Sequence, residues 1–81
     1  MNRSSRPVDV RAEMVANVIE VYVGAGDAVA AGDTVALLES MKMEIPVVTE
    51  HAGTVSSVNV GSGDVVQEGD SLITLDPPKG R

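Results

Sequence analysis

The sequence repeats itself once, at a constant offset of 37 residues. The segment from Val18 through Gly24-Ala25-Gly26-Asp27 is echoed by the segment from Val55 through Gly61-Ser62-Gly63-Asp64. Ten positions are identical between residues 16–39 and 53–76, and most of them are valines, glycines and aspartates. Self-similarity at a fixed spacing indicates two copies of one substructure.

Each copy predicts short strands joined by tight turns. Glycine adopts positive φ at no steric cost, and aspartate hydrogen-bonds to nearby backbone, so Gly-Asp pairs between valines mark turns. The predicted turn residues are Gly24, Gly26, Asp27, Gly32 and Asp33 in the first copy and Gly61, Gly63, Asp64, Gly69 and Asp70 in the second. Fifteen valines and the lack of sustained helical periodicity favour an all-β fold. We expect two pseudo-symmetric antiparallel halves that close a small sandwich or flattened β-barrel.

Composition excludes several classes of function. The chain has 81 residues, no cysteine and a net charge of −6, which argues against disulfides, zinc–thiolate sites and a basic nucleic-acid-binding surface. No stretch approaches the roughly 20 apolar residues of a membrane span. Between Glu13 and Asp76 there are eleven carboxylates and a single lysine or arginine, Lys42.

The two ends differ from the repeated region. Residues 1–8 are polar, and residues 77–81 begin with two prolines, which cannot continue a hydrogen-bonded strand. We predict disordered tails at 1–8 and 77–81 and a folded domain over 9–76. The amino-terminal segment lacks the apolar core of a secretory signal, and together with the absence of cysteine this predicts a cytoplasmic location.

The midpoint between the copies conflicts with local rules. It must join two extended segments, yet Met41 and Lys42 occupy the place where a two-residue hairpin loop favours Asn-Gly. Sequences tend to break such rules where function requires it, so this tip is the candidate site.

The tip also carries a family resemblance. Glu39-Ser40-Met41-Lys42-Met43 resembles the Glu-Ala/Ser-Met-Lys-Met motif of biotinyl domains. The resemblance extends over both Gly-Asp-x-Val-x-x-Gly-Asp runs. Ala12 and Met14 also match the start of the family's first strand, although the prolines and glycine found there in many relatives are missing. It implies two four-stranded antiparallel sheets related by a pseudo-twofold axis, and a covalent biotin on Lys42. It also implies a short, stand-alone domain, monomeric when free and without the protruding thumb of some bacterial carriers.

The residues beside the lysine have competing interpretations. Met41 and Met43 could belong to the core, but beside an exposed turn we favour recognition by partner enzymes. Glu39 and Glu44 should face each other across the hairpin and, without a cleft, fit a carrier face better than an acid–base pair. We therefore assign Glu39, Ser40, Met41, Met43 and Glu44 to recognition.

Other residues suggest no chemistry. The two Gly-x-Gly segments lack the third glycine and the following helix of a dinucleotide site. His51 has no second ligand or serine partner in the sequence and is predicted to be a polar residue at a strand edge. We predict no catalytic residue and no metal site.

The resemblance implies a carrier that is not itself an enzyme. A biotin protein ligase would load Lys42, and the carrier would then move a carboxyl group between a biotin carboxylase and a carboxyltransferase of a biotin-dependent, acyl-CoA-type carboxylase. Two alternatives remain open. One is a lipoyl carrier domain, and the other is an unmodified barrel-sandwich module used for protein binding.

Overall fold

The computed structural model describes residues 6–78, and this range contains eight β-strands and no helix. The strands are β1 (Val8–Arg11), β2 (Ala16–Val21), β3 (Ala28–Val29), β4 (Thr34–Ser40), β5 (Met43–Val48), β6 (Gly53–Val58), β7 (Val65–Val66) and β8 (Ser71–Asp76). They form two antiparallel four-stranded sheets, ordered β1-β8-β6-β3 and β5-β4-β2-β7. The predicted all-β architecture of two four-stranded sheets is confirmed.

The 37-residue offset relates the two sheets to each other. Adding 37 to the residue numbers takes β2, β3 and β4 onto β6, β7 and β8, and it takes β1 onto β5. Each sheet order therefore transforms into the other. The pair β1 and β5 lies outside the repeat found in the sequence, although Val10 and Val47 are identical at the same offset.

Each copy of the repeat is completed by the other. The turn after β2 holds the first strand of the second copy, because Gly26 N–H donates to the Val55 carbonyl (2.7 Å) and Val55 N–H donates to the Asp27 carbonyl (2.8 Å). The equivalent turn after β6 holds Val18 through Gly63 and Asp64, at 2.8 Å for both bonds. One copy alone would leave these backbone groups without partners.

The turns are held by aspartate carboxylates and by glycines with positive φ. The carboxylate of Asp27 accepts a hydrogen bond from Gly24 N–H (2.8 Å), and that of Asp64 accepts the equivalent bond from Gly61 N–H (2.8 Å). Asp33 and Asp70 accept corresponding bonds in the two other turns. Gly26 and Gly63 have φ of 96° and 95°, a conformation in which a Cβ is strained. Gly32 and Gly69 share it, at 95° and 91°.

The core consists of two aliphatic clusters related by the same pseudosymmetry. One cluster contains Val10, Val29, Val35, Val55, Ile73 and Leu75, and the other contains Ala12, Ala16, Val18, Leu38, Val66 and Leu72. Leu38 is 2% exposed and lies in β4, the strand that leads into the lysine hairpin. Truncating such a buried leucine to alanine typically lowers the free energy of unfolding by about 2–5 kcal/mol. The core packing of Leu38 therefore holds the base of the hairpin in place.

The strand ends bear on the predicted boundaries. Val8, which the prediction placed in the amino-terminal tail, pairs with Leu75 and begins β1, so the ordered strand starts one residue earlier than expected. Strand β8 ends at Asp76, the last residue of the predicted domain. Residues 1–5 and 79–81 of the predicted tails lie outside the described residues.

Candidate functional site

The lysine lies at the tip of the β4–β5 hairpin. Ser40 pairs with Met43, so the loop contains only Met41 and Lys42. Their φ values are 53° and 66°, and positive φ at both central residues is the requirement of a type I′ turn. They are the only residues other than glycine with positive φ among those described. Glu39 and Leu38, the preceding residues of β4, also pair across the hairpin, which fixes the tip on a strand ladder.

The residues predicted for recognition lie on both sides of the tip. Met41 is 91% exposed and Met43 is 62% exposed, which rules out a core position for both. Glu39 and Glu44 pair directly across the two strands and are both exposed. Like charges in that arrangement are mildly destabilising.

Lys42 is exposed, and its charge is not neutralised by an ion pair within the described region. The one ion pair found there joins Arg11 to Asp9, at 2.9 Å. An exposed amine without a bound carboxylate is available to another molecule. The β4–β5 hairpin therefore presents one primary amine at the end of two paired strands.

A row of outward-facing residues runs across the sheet below the tip. Val65 of β7 pairs with Asn17 of β2, and Asn17 pairs with Glu39 of β4. Together with Val15, which lies just before β2, they line a recess that also includes Met41 and Lys42. Sequence analysis missed Val15, Asn17 and Val65 because they are distant from the lysine along the chain and match no motif.

Two other features lie away from the tip. His51 occurs in the bend after β5 and not at a strand edge, because its backbone N–H bonds to the Thr49 hydroxyl at 3.1 Å. A larger groove of about 370 Å³ lies between the edge strands β1 and β5, but neither loop residue of the hairpin lines it. The groove fills the gap between these two sheet edges and does not include the lysine.

The comparisons with known proteins agree with this geometry. The family model Biotin_lipoyl, described as Biotin-requiring enzyme, matches residues 8–75. The chain belongs to this family. It is therefore a biotin/lipoyl carrier domain, and the resemblance found in the sequence is confirmed.

Individual relatives place the domain more closely. A biotinylated protein TB7.3 homolog of Mycobacterium leprae is 62% identical over 45 residues, which are 56% of this chain and 63% of that protein. The chain thus spans less than two thirds of that relative's length. The structure of a single-chain, multi-domain long-chain acyl-CoA carboxylase superposes with a TM-score of 0.82 and 30% identity, covering 89% of this chain and 7% of that one.

The fold is shared with a lipoyl domain as well. The lipoyl domain of the 2-oxoglutarate dehydrogenase complex of Azotobacter vinelandii superposes with a TM-score of 0.71 and 23% identity, over 84% of this chain and 94% of that one. At this identity the likeness shows the fold alone. The fold therefore does not distinguish a biotinyl domain from a lipoyl domain. The residues around Lys42 have to make that distinction.

Within residues 6–78 there is no helix with the length and apolar composition to cross a membrane. The cytoplasmic location stays a prediction based on the cysteine-free composition.

Proposed function

We propose that this carrier domain holds one biotin as an amide on Lys42 and carries a carboxyl group between a biotin carboxylase and a carboxyltransferase. The observation that carries the proposal is the hairpin tip. Two residues that disfavour positive φ adopt it there, and the second of them is the exposed lysine. Backbone strain of this kind is typical of functional positions.

The lysine fits the bond that the proposal requires. Its Nζ attacks the carbonyl carbon of a biotinyl adenylate, the bond from that carbon to the phosphate oxygen breaks, AMP leaves, and an amide forms. A biotin protein ligase must supply the activated acyl group and accept the proton that the amine releases as the amide forms. Amide formation removes the positive charge of Lys42 and leaves a long flexible tether. When bound, biotin supplies the atom that accepts and releases the carboxyl group.

The rest of the domain contributes presentation and not catalysis in this proposal. The hairpin holds the lysine at one place, and tethering raises the local concentration of the attached group at each partner's active site. Glu39, Ser40, Met41, Met43 and Glu44 form the surface that the ligase and the carboxylase subunits recognise. Thioether side chains suit such a surface because they adapt to different partners.

Two findings support a biotin-dependent carboxylase as the setting. The aligned acyl-CoA carboxylase contains a domain of this fold at 30% identity, and the mycobacterial relative is described as biotinylated. The methionines on both sides of Lys42 favour biotin over lipoate, since a lipoyl lysine usually follows Asp and precedes Ala or Val. The ligase, the two carboxylase partners, the monomeric state and a domain that runs from Val8 to Asp76 are part of the same proposal.

The first experiment tests attachment. The purified protein is incubated with a biotin protein ligase, biotin and ATP, and its intact mass is followed with time. The parent chain should gain one biotinyl group and Lys42→Arg should gain none. Lys79→Arg is the matched control, because Lys79 is the only other lysine of the chain, and it should be modified at the parent rate. Incorporation into Lys42→Arg would refute the assignment.

The second experiment tests the carboxyl-carrier role. The biotinylated domain is supplied with a biotin carboxylase, ATP and labelled bicarbonate, and protein-bound label is measured. Label should appear on the biotinylated chain and be absent from the unmodified chain. A chain that is biotinylated but never labelled would separate biotin attachment from carboxyl transfer and contradict the second part of the proposal.

A further inference from the structure

A recess of about 340 Å³ adjoins the lysine. Its walls include Val15, Asn17, Val65 and Met41, and Lys42 itself lines it. Small-molecule sites begin at about 300 Å³, so the recess has room for a compact ring system. A protein interface of ordinary size covers about 800 Å² on each partner, far more than these few side chains provide.

The pseudosymmetry supplies an internal comparison for this recess. The row Val65–Asn17–Glu39 at the lysine end corresponds, at the 37-residue offset, to the row Ala28–Thr54–Asp76 at the opposite end of the molecule. We call the latter the opposite pole, and it also includes Ala52, the counterpart of Val15. Both rows pair in the same register.

The comparison shows which residues the fold itself needs. At the opposite pole the fold is satisfied by exposed alanines at positions 28 and 52. At the lysine end the same positions are valines that stay 55% exposed at Val15 and 62% exposed at Val65. Exposed apolar side chains gain little from folding, and the alanines at the equivalent positions show that this backbone does not depend on valine there. Glu39 has an acidic counterpart in Asp76, so the comparison does not single it out.

Asn17 adds a polar group between the two valines. Its side chain is exposed and makes no hydrogen bond with any side chain or backbone group of residues 6–78. A carboxamide offers both a carbonyl acceptor and an NH₂ donor. The ureido ring of biotin presents the complementary set, one carbonyl acceptor and two N–H donors. The counterpart Thr54 has a single hydroxyl instead.

We propose that this recess is the resting seat of the biotinyl ring attached to Lys42. Val15 and Val65 provide apolar walls for the thioether side of the ring, and Asn17 provides the hydrogen-bonding partner for its ureido group. Because the ligand is tethered to a residue of the recess, its effective concentration there is high and a weak site suffices. The seat is open to solvent, which lets partner enzymes withdraw the ring. This inference rests on the proposed attachment at Lys42.

The test uses nuclear magnetic resonance of valine methyl groups. Spectra of the chain with and without biotin, its modification state confirmed by intact mass, should show methyl shifts at Val15 and Val65 and through-space contacts between those methyls and the ring. Valine methyls at the far side of the molecule, such as those of Val29, should not move. Shifts confined to the hairpin backbone, with no ring contacts, would overturn the seat.

Variants copied from the opposite pole sharpen the test. Val15→Ala with Asn17→Thr and Val65→Ala reproduces residues that the same backbone already accepts at the opposite pole, so the variant should fold. Because this variant lacks the reporting valine methyls, its readout is the line width of the biotinyl ring protons, which should become narrower than in the parent as the ring is released, while the chain remains biotinylated. The matched control is Ala28→Val with Ala52→Val and Thr54→Asn at the opposite pole, which should retain every contact.

The outcomes separate the two proposals. If intact mass shows no biotin on the parent chain, the attachment at Lys42 fails. If biotin is attached but its ring protons have the same line width in the triple variant as in the parent, the seat alone is overturned. If the variant is loaded by the ligase far more slowly and the parent shows no ring contacts, the recess is a ligase-docking surface and the seat is refuted.

Discussion

Met41 should be a position where the protein gives up stability for function. Its φ of 53° lies in the left-handed region, which costs a residue with a Cβ about 1–2 kcal/mol. Asparagine tolerates this conformation best after glycine. Because the side chain is 91% exposed, replacing it removes little buried apolar surface. We therefore expect Met41→Asn to stabilise the domain by about 1 kcal/mol, which for a domain of this size raises Tm by about 4–8 °C.

The assay is thermal unfolding followed by circular dichroism, with Met43→Asn as the matched control. Met43 is also largely exposed, at 62%, but it lies in the extended strand β5. Asparagine is unfavourable in strands, so this control should leave Tm unchanged or lower it. The two variants make the same chemical change two residues apart, and only Met41→Asn should raise Tm.

The same variant should be recognised less well by the ligase. If Met41 is part of the surface that the ligase contacts, Met41→Asn should be biotinylated at a lower initial rate than the parent. A variant no more stable than the parent, or one destabilised like Met43→Asn, would refute the argument that the hairpin is strained. A stabilised variant with the parent's biotinylation rate would show that the strain is unrelated to Met41 recognition.

Three further predictions follow from the same geometry. Gly26→Val and Gly63→Val should each cost well over about 1 kcal/mol because both force a β-branched residue to a φ near 95°, and unequal shifts in Tm would contradict the equivalence of the two turns. Gly53→Ala should lower the free energy of unfolding by about 1–3 kcal/mol through overpacking, since its Cβ would clash with the carbonyl oxygen of Asp76. The control Gly24→Ala, whose Cβ meets nothing nearer than 4.0 Å, should change it by no more than about 0.5 kcal/mol. Equal losses would show that the close approach at Gly53 is unimportant. Exchanging the two tip residues by Met41→Lys with Lys42→Met should nearly eliminate biotin incorporation, because a misplacement of about 1 Å can cost about a hundredfold in rate. Circular dichroism first shows that the variant is folded. An unchanged initial rate of incorporation would mean that the ligase accepts a flexible linear stretch.

Much of the fold was accessible from the sequence because the repeat marks the turns directly. The glycines and aspartates at the 37-residue offset have local roles, positive φ and short-range hydrogen bonds, that do not depend on the rest of the chain. The conflict at Met41 and Lys42 was visible for the same reason, and both residues have the positive φ that a primed turn requires.

The sequence was less informative where contacts are long-range. The equivalent strands β1 and β5 lie in different sheets, because β1 pairs with β8 and β5 pairs with β4. Local sequence patterns do not encode which sheet a strand joins. Val15, Asn17 and Val65 were missed for a related reason, because only the β2–β7 pairing brings Val65 beside Asn17. A signal was nevertheless present. At the 37-residue offset the counterparts of the two valines are alanines, and such differences between copies mark residues that the shared fold does not require.

The most direct test of the account is peptide mapping by mass spectrometry of the protein isolated from its native host. A biotinyl group is expected on the peptide that contains Lys42, and Lys79 is expected to be unmodified. A lipoyl group on Lys42, a biotinyl group on Lys79, or a fully unmodified chain from biotin-replete cells would contradict it.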